Sequence, residues 1–238
     1  MMTTIIGRGH SGTRMISATL QASGVFMGIP LNETGDLIPS RPMYEACRLA
    51  SRHVIREGGS GWNFSDLLDS PISSGFESLV REYLGSVLES REPHRGWKLP
   101  ETILALPWIV RMFPDVKYIY LIRDPRDCIL KPHKTDCLWK WGVMCSLEYD
   151  ERRRRAVSWK YQHDIVAATP KPAAWIEVRF EDFISRQEET LQRLEGFLEI
   201  PLAKIPVRPE AVGRWEHESP SPSFDFLEPA MRMHGYDC

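Results

Sequence analysis

The segment GRGHSGTR (residues 7–14) carries the densest chemistry in the chain. It stands between a short β-branched run and an amphipathic stretch, so it joins an expected strand to an expected helix. Such a bend gathers backbone N–H groups and the positive end of a helix at one spot, where a phosphate-like anion binds. Gly7, Gly9 and Gly12 let the backbone turn tightly and approach a ligand. Ser11 and Thr13 offer hydroxyl donors, and His10 and Arg14 offer charge. The plainer alternative is a glycine turn that only starts a helix. The bend comes close to G-x4-G-K-[ST] but has Thr13 and Arg14 where lysine and a magnesium-binding hydroxyl should stand. KYIYLI (117–122) likewise runs into Arg123-Asp124-Pro125, a poor match to an apolar strand closing on a magnesium-binding carboxylate. Both features argue against magnesium-dependent phosphoryl transfer.

The rest of the chain must position this bend. Residues 2–7 read as a buried strand and 11–23 as a helix stopped by Gly24. Residues 28–42, rich in Gly, Pro, Asn and Asp, read as a long loop. Helical patterns cover 43–56, 75–90, 101–113, 135–147, 151–168 and 187–198, with strands at 96–100, 117–122 and 174–180. The tail from Ile200 is rich in proline and irregular. Alternating strands and helices give an α/β fold: three layers around a mainly parallel central sheet, of the P-loop nucleotide-binding type. No repeat or linker interrupts the 238 residues, so a single domain over 1–238 is expected.

A formal net charge of −2 gives no global attraction to nucleic acid or an anionic membrane. The basic run Arg152–Arg155 follows Glu148, Asp150 and Glu151 at helical offsets of four, an arrangement for surface ion pairs. The five cysteines are odd in number and form no CxxC pair, which suits free thiols and no metal site. No basic-then-apolar leader and no apolar run of about 20 residues is present, so a soluble, cytoplasmic protein is expected.

Several of these segments together resemble the PAPS-dependent sulfotransferase family. HSGTR (10–14) resembles its 5′-phosphosulfate loop, usually [KR]-S-G-T-T. YLIRDPRDCILK (120–131) resembles its 3′-phosphate motif, where an arginine ends a strand and a serine follows eight residues later. WKLPE (97–101) resembles a K-[TL]-P element, and WIEVRFEDF (175–183) with TLQRLEGFLEIPL (190–202) resembles the RYEDL…FLG.P stretch. Arg208 with Gly213 and Trp215 resembles a C-terminal nucleotide contact, and MHGY (233–236) a closing L-G-Y. The chain departs from the family at His10 for the loop cation, Arg14 for the second threonine and Lys131 for the serine.

The resemblance implies in-line transfer of a sulfuryl group from PAPS to an acceptor hydroxyl or amine, without metal, leaving PAP. It implies nucleotide contacts from Arg8, Gly9, His10, Ser11, Gly12, Thr13, Arg14, Arg123, Lys131 and Arg208. His10, Arg14 and Lys98 are the candidates to steady the leaving phosphate. Arg123 and Lys131 suit a phosphate dianion through charge-assisted bonds, although Asp124 or Asp127 could instead pair with Arg123. Some branches of the family carry a glutamate base in the loop after the first helix, which points to Glu33, with Asp36 and His133 as alternatives. The acceptor, a small molecule or carbohydrate, would be chosen by loops 28–42 and 131–141. Trp139, Trp141 and Trp159 are core residues or part of that cleft. A P-loop phosphotransferase and a non-catalytic nucleotide-binding relative are the rival readings.

Overall fold

The computed structural model describes residues 1–219 and 223–237; Cys238, one of the five cysteines, lies outside the described residues. Six strands occur among them: β1 (Met2–Ile6), β2 (Ile55–Gly58), β3 (Gly61–Asn63), β4 (Arg95–Lys98), β5 (Lys117–Ile122) and β6 (Trp175–Arg179). Four of them form one sheet in the order β4-β1-β5-β6, and every pair in it is parallel.

The sheet is apolar on both faces, so its side chains divide between two cores by strict alternation. Tyr118, Tyr120 and Ile122 of β5 enter one core, with Trp97 of β4 and helices Arg41–Ser51, Ser74–Tyr83, Leu106–Met112 and Glu151–Ala168. Ile119 and Leu121 enter the other, with Ile5, Val178 and helices Thr13–Ala22 and Gln187–Leu198. The result is the three-layer α/β fold expected from the sequence. The chain leaves β1 toward β4 on one side and returns to β5 on the other. The carboxyl end of β1 therefore opens a crevice between neighbouring crossovers, the usual ligand position in such sheets.

Several local expectations need correction, among them the helix over 101–113, which opens as a 3-10 stretch, Pro100–Ala105, and is α-helical only over Leu106–Met112. Residues 135–147 do not form a helix: two short 3-10 turns, Lys134–Asp136 and Leu138–Trp141, replace it. His133 and Asp136 cap the first turn reciprocally, and Gly142 at φ 85° ends the second. The helix expected over 43–56 is Arg41–Ser51, and the antiparallel β2–β3 hairpin follows it. The stretch 75–90 breaks into helices Ser74–Tyr83 and Gly85–Leu88.

Within the basic run, Arg155 pairs with Glu151 at 2.8 Å as expected. Asp150 instead caps its helix through Arg153 N–H, and Arg152 reaches Glu218. The helix begins only at Glu151, so the earlier acids lie outside its register. Trp141 and Trp159 are buried, whereas Trp139 is exposed beneath Arg154.

Trp108, fully buried against Phe76 at 4.9 Å between ring centroids, anchors the larger core away from the crevice. Trp108→Ala is expected to cost about 3–5 kcal/mol. That is a fall of roughly 10 °C in melting temperature, measured by calorimetry.

Candidate active site

The bend between β1 and helix Thr13–Ala22 closes over the carboxyl end of the sheet. Gly12, at φ 95°, is the residue before the helix, and a Cβ on it would collide with the Phe180 ring. A Cβ on Gly9 would collide with the ring of His133. Only glycine fits at either place. His10 itself takes φ 71°, an uncommon conformation for a side-chain-bearing residue. Thr13 and Arg14 open the helix, where the first N–H groups have no intrahelical partner.

This bend forms one wall of a cavity of about 550 Å³ lined by Gly9, His10, Gly12, Thr13, Arg14, Thr34, Asp36, Lys98, Pro100, Arg123, Lys131, His133 and Arg214. Cations thus gather there from the first helix, β4, the end of β5 and the C-terminal segment. Arg123 Nη1 donates to His10 O at 3.0 Å, so the bend and the end of β5 are in direct contact. Its other nitrogen donates to Asp127 at 2.8 Å and to Ala211 O, and its guanidinium lies 4.2 Å from the Phe180 centroid. The Nε atoms of Arg123 and Arg214 are buried with no hydrogen-bond partner among the described residues. The cavity brings the cationic side chains Arg14, Lys98, Arg123, Lys131 and Arg214 together beside the bend, a setting that suits an anion.

Some expected contacts lie elsewhere. Arg8 points into the protein, bonded to Asp136, Gly9 O and Cys128 O, and is a strut beneath the bend. Ser11 is buried and donates to Arg8 O at 2.6 Å, closing the bend on itself. Arg208 is exposed and lines a neighbouring cleft of about 430 Å³, with Arg14, Met15, Ala18, Phe180 and Val207. Glu33 is exposed and outside the lining of the cavity, while Asp36 three residues later is part of it.

Lys98 is buried, and burial lowers its pKa. It donates to Asp36 at 2.6 Å and to Thr34 O at 2.7 Å. Burial alone would raise the Asp36 pKa, but Lys98, Thr34 and Asn32 together hold it below the usual carboxylate range. Burial also lowers His10, whose Nε2 faces Pro132 O at 2.9 Å; with a carbonyl as partner, that nitrogen carries the proton.

A second cavity of about 420 Å³ shares His10, Thr34, Asp36, Pro100 and His133 with the first. Its further lining includes Tyr44, Leu99, Glu101 and Lys134. Burial pushes Glu101 up to about 6 and His133 down to about 3. The sequence reading missed Arg214 and Glu101. Both adjoin residues it had named: Arg214 lies between Gly213 and Trp215, and Glu101 closes WKLPE.

These features meet those of known proteins. Residues 3–204 match the sulfotransferase family, and the chain belongs to it. A Caenorhabditis briggsae relative named "Putative protein-tyrosine sulfotransferase" is 24% identical over 147 residues, 59% of this chain and 51% of that protein. The match thus spans about half the length of that relative. Among solved structures, the sulfotransferase domain from the curacin biosynthetic pathway superposes with a TM-score of 0.66 at 16% identity, covering 99% of this chain and 97% of that one. The sulfotransferase domain of the Synechococcus PCC 7002 olefin synthase gives 0.61 at 12% identity, covering 100% and 95%. At these identities the likeness establishes the shared fold.

The Lys98–Asp36 pair yields a stability test. Asp36→Asn leaves a buried ammonium without its counter-ion and is expected to cost about 3 kcal/mol. Adding Lys98→Met should recover most of that loss, read by urea unfolding.

Proposed function

We propose that this protein transfers a sulfuryl group from PAPS to a hydroxyl or amine, with the donor in the larger cavity and the acceptor in the adjoining one. The observation that carries this reading is the gathering of Arg14, Lys98, Arg123, Lys131 and Arg214 around the glycine bend, in a cavity that shares a wall with a second one. The donor fits the residues present. The bend amides and Arg14 suit the 5′-phosphate, and Arg123, Lys131 and Arg214 suit the 3′-phosphate. The neighbouring cleft offers Met15, Ala18, Phe180 and Val207 as an apolar bed for the base.

When bound, PAPS supplies a sulfuryl group on a phosphate leaving group. The chain's contribution is positioning and charge. The bend and helix N-terminus hold partial positive charge where the leaving oxygen becomes negative. Lys98 Nζ, kept at the wall between the compartments by Asp36 and Thr34 O, brings a full charge to the same region. His10 acts there through its backbone and its neutral ring. The shared wall of His10, Pro100 and His133 lets the acceptor approach from the side opposite the phosphate. Which small molecule, carbohydrate or other hydroxyl-bearing acceptor fits is decided by Tyr44, Leu99 and Lys134.

Two measurements test the reading. PAP in the absence of magnesium should raise the melting temperature, by mass action on the folded state. No shift at millimolar PAP, with a clear shift for ATP plus magnesium, would sink the proposal in favour of a phosphotransferase. Arg123→Ala and Arg214→Ala should each weaken PAP by about tenfold or more in calorimetric titration, the equivalent of ~1.4 kcal/mol. Unchanged affinity in both would move the nucleotide to another site.

A further inference from the structure

Sulfuryl transfer to a hydroxyl needs a group that takes the acceptor's proton. Asp36, Glu101, His10 and His133 face the acceptor cavity and could in principle do so. Their hydrogen bonds sort them. Asp36 already accepts from Lys98, Thr34 and Asn32, all through one carboxylate. His10 is tied through Nε2 to Pro132 O.

His133 is fixed by a short chain of donors. Gln162 donates to Thr135 Oγ1 at 3.0 Å, Thr135 Oγ1 lies 2.9 Å from His133 Nδ1, and Thr135 N–H donates to that nitrogen at 3.3 Å. Nδ1 is therefore the acceptor and Nε2 carries the proton, which leaves the ring a donor toward the cavity. His133 Nε2 stands 3.9 Å from Glu101 Oε1. Glu101 is itself almost wholly buried, with its backbone carbonyl engaged by Cys47 Sγ and its side chain on the cavity wall.

We propose that Glu101, and not Glu33 in the preceding loop, is the general base that accepts the acceptor's proton. In that step the acceptor oxygen bonds to sulfur as the bond from sulfur to the phosphate oxygen breaks. The proton passes to the Glu101 carboxylate, and the electron pair leaves on the phosphate. A neutral imidazole N–H beside the carboxylate can hold the acceptor oxygen without competing for the proton. Burial, the first cause, raises Glu101 to about 6, near the value a base needs at neutral pH. The groups around it are Asp36 and Lys98 across the shared wall, His133 and Lys134 from the loop after β5, and Tyr44, Cys47 and Tyr83 from the flanking helices. The carboxylate form predominates above that pH, so activity should rise with pH through about 6 and hold above it.

This inference rests on the sulfuryl-transfer reading, and its test separates the two. Binding of PAP reports on the parent proposal, and Glu101→Gln should leave it within about twofold. In protein labelled with ¹³C at glutamate carboxyls and saturated with PAP, one resonance should titrate near 6 and be missing in Glu101→Gln. With phenol as the probe acceptor, Glu101→Gln should lower turnover by roughly 10²–10⁴-fold. At about pH 8.5 the loss should be markedly smaller with 4-nitrophenol, which is largely ionised there and has little proton to give. Equal losses with both phenols would overturn the assignment even with PAP bound normally. Loss of transfer in Glu33→Gln but not in Glu101→Gln would return the role to the loop.

Discussion

Arg123 joins parts of the chain that are remote in sequence, and the cavity takes its shape from that junction. One nitrogen of its guanidinium holds the carbonyl of His10 in the bend, while another reaches Asp127 and Ala211 O. Asp127, fully buried, also accepts the backbone N–H groups of Gly213 and Trp215. The Arg123–Asp127 pair thus fastens the irregular C-terminal segment onto the end of β5, and this places Arg214 at the cavity. A neutral pair of similar size would pack as well, but it would not offer a guanidinium edge to an anion.

Much of this was legible in sequence. The bend between β1 and its helix is local: glycine spacing, a β-branched strand before it and an amphipathic helix after it specify it without help from elsewhere. The parallel sheet followed from alternation of elements, and Arg123 from its place at the end of KYIYLI. What could not be read depends on contacts between segments distant in the chain. Whether Arg8 faces ligand or protein is decided by Asp136, which lies 128 positions away. Residues 135–147 carry helix-compatible side chains, yet the reciprocal His133–Asp136 cap and the anchoring of Thr135 to Ser158 and Gln162 favour tight turns. In sequence, the acid beside Pro100 is the first residue of the helix expected over 101–113. Only burial against the acceptor cavity makes it chemically distinct.

Charge is divided between the two compartments by the kind of group that supplies it. In the cavity beside the bend, Arg14, Arg123, Arg214 and the helix dipole supply charge that does not vary over physiological pH, alongside Lys98 and Lys131. The histidine standing where relatives of this family carry a cation is held neutral by burial, so His10 adds geometry there and not charge. Its backbone follows the same logic: a left-handed residue at φ 71° turns its carbonyl to Arg123 and its ring to Pro132 O. One residue thereby couples the bend to both segments that follow β5. Lys98 is a buried ammonium paired with Asp36, and Asp36 belongs to the loop that also walls the second cavity. A movement of that loop would therefore change the field in the larger cavity. Under the proposed assignment of donor and acceptor, the positions of the two substrates would be coupled through that one ion pair.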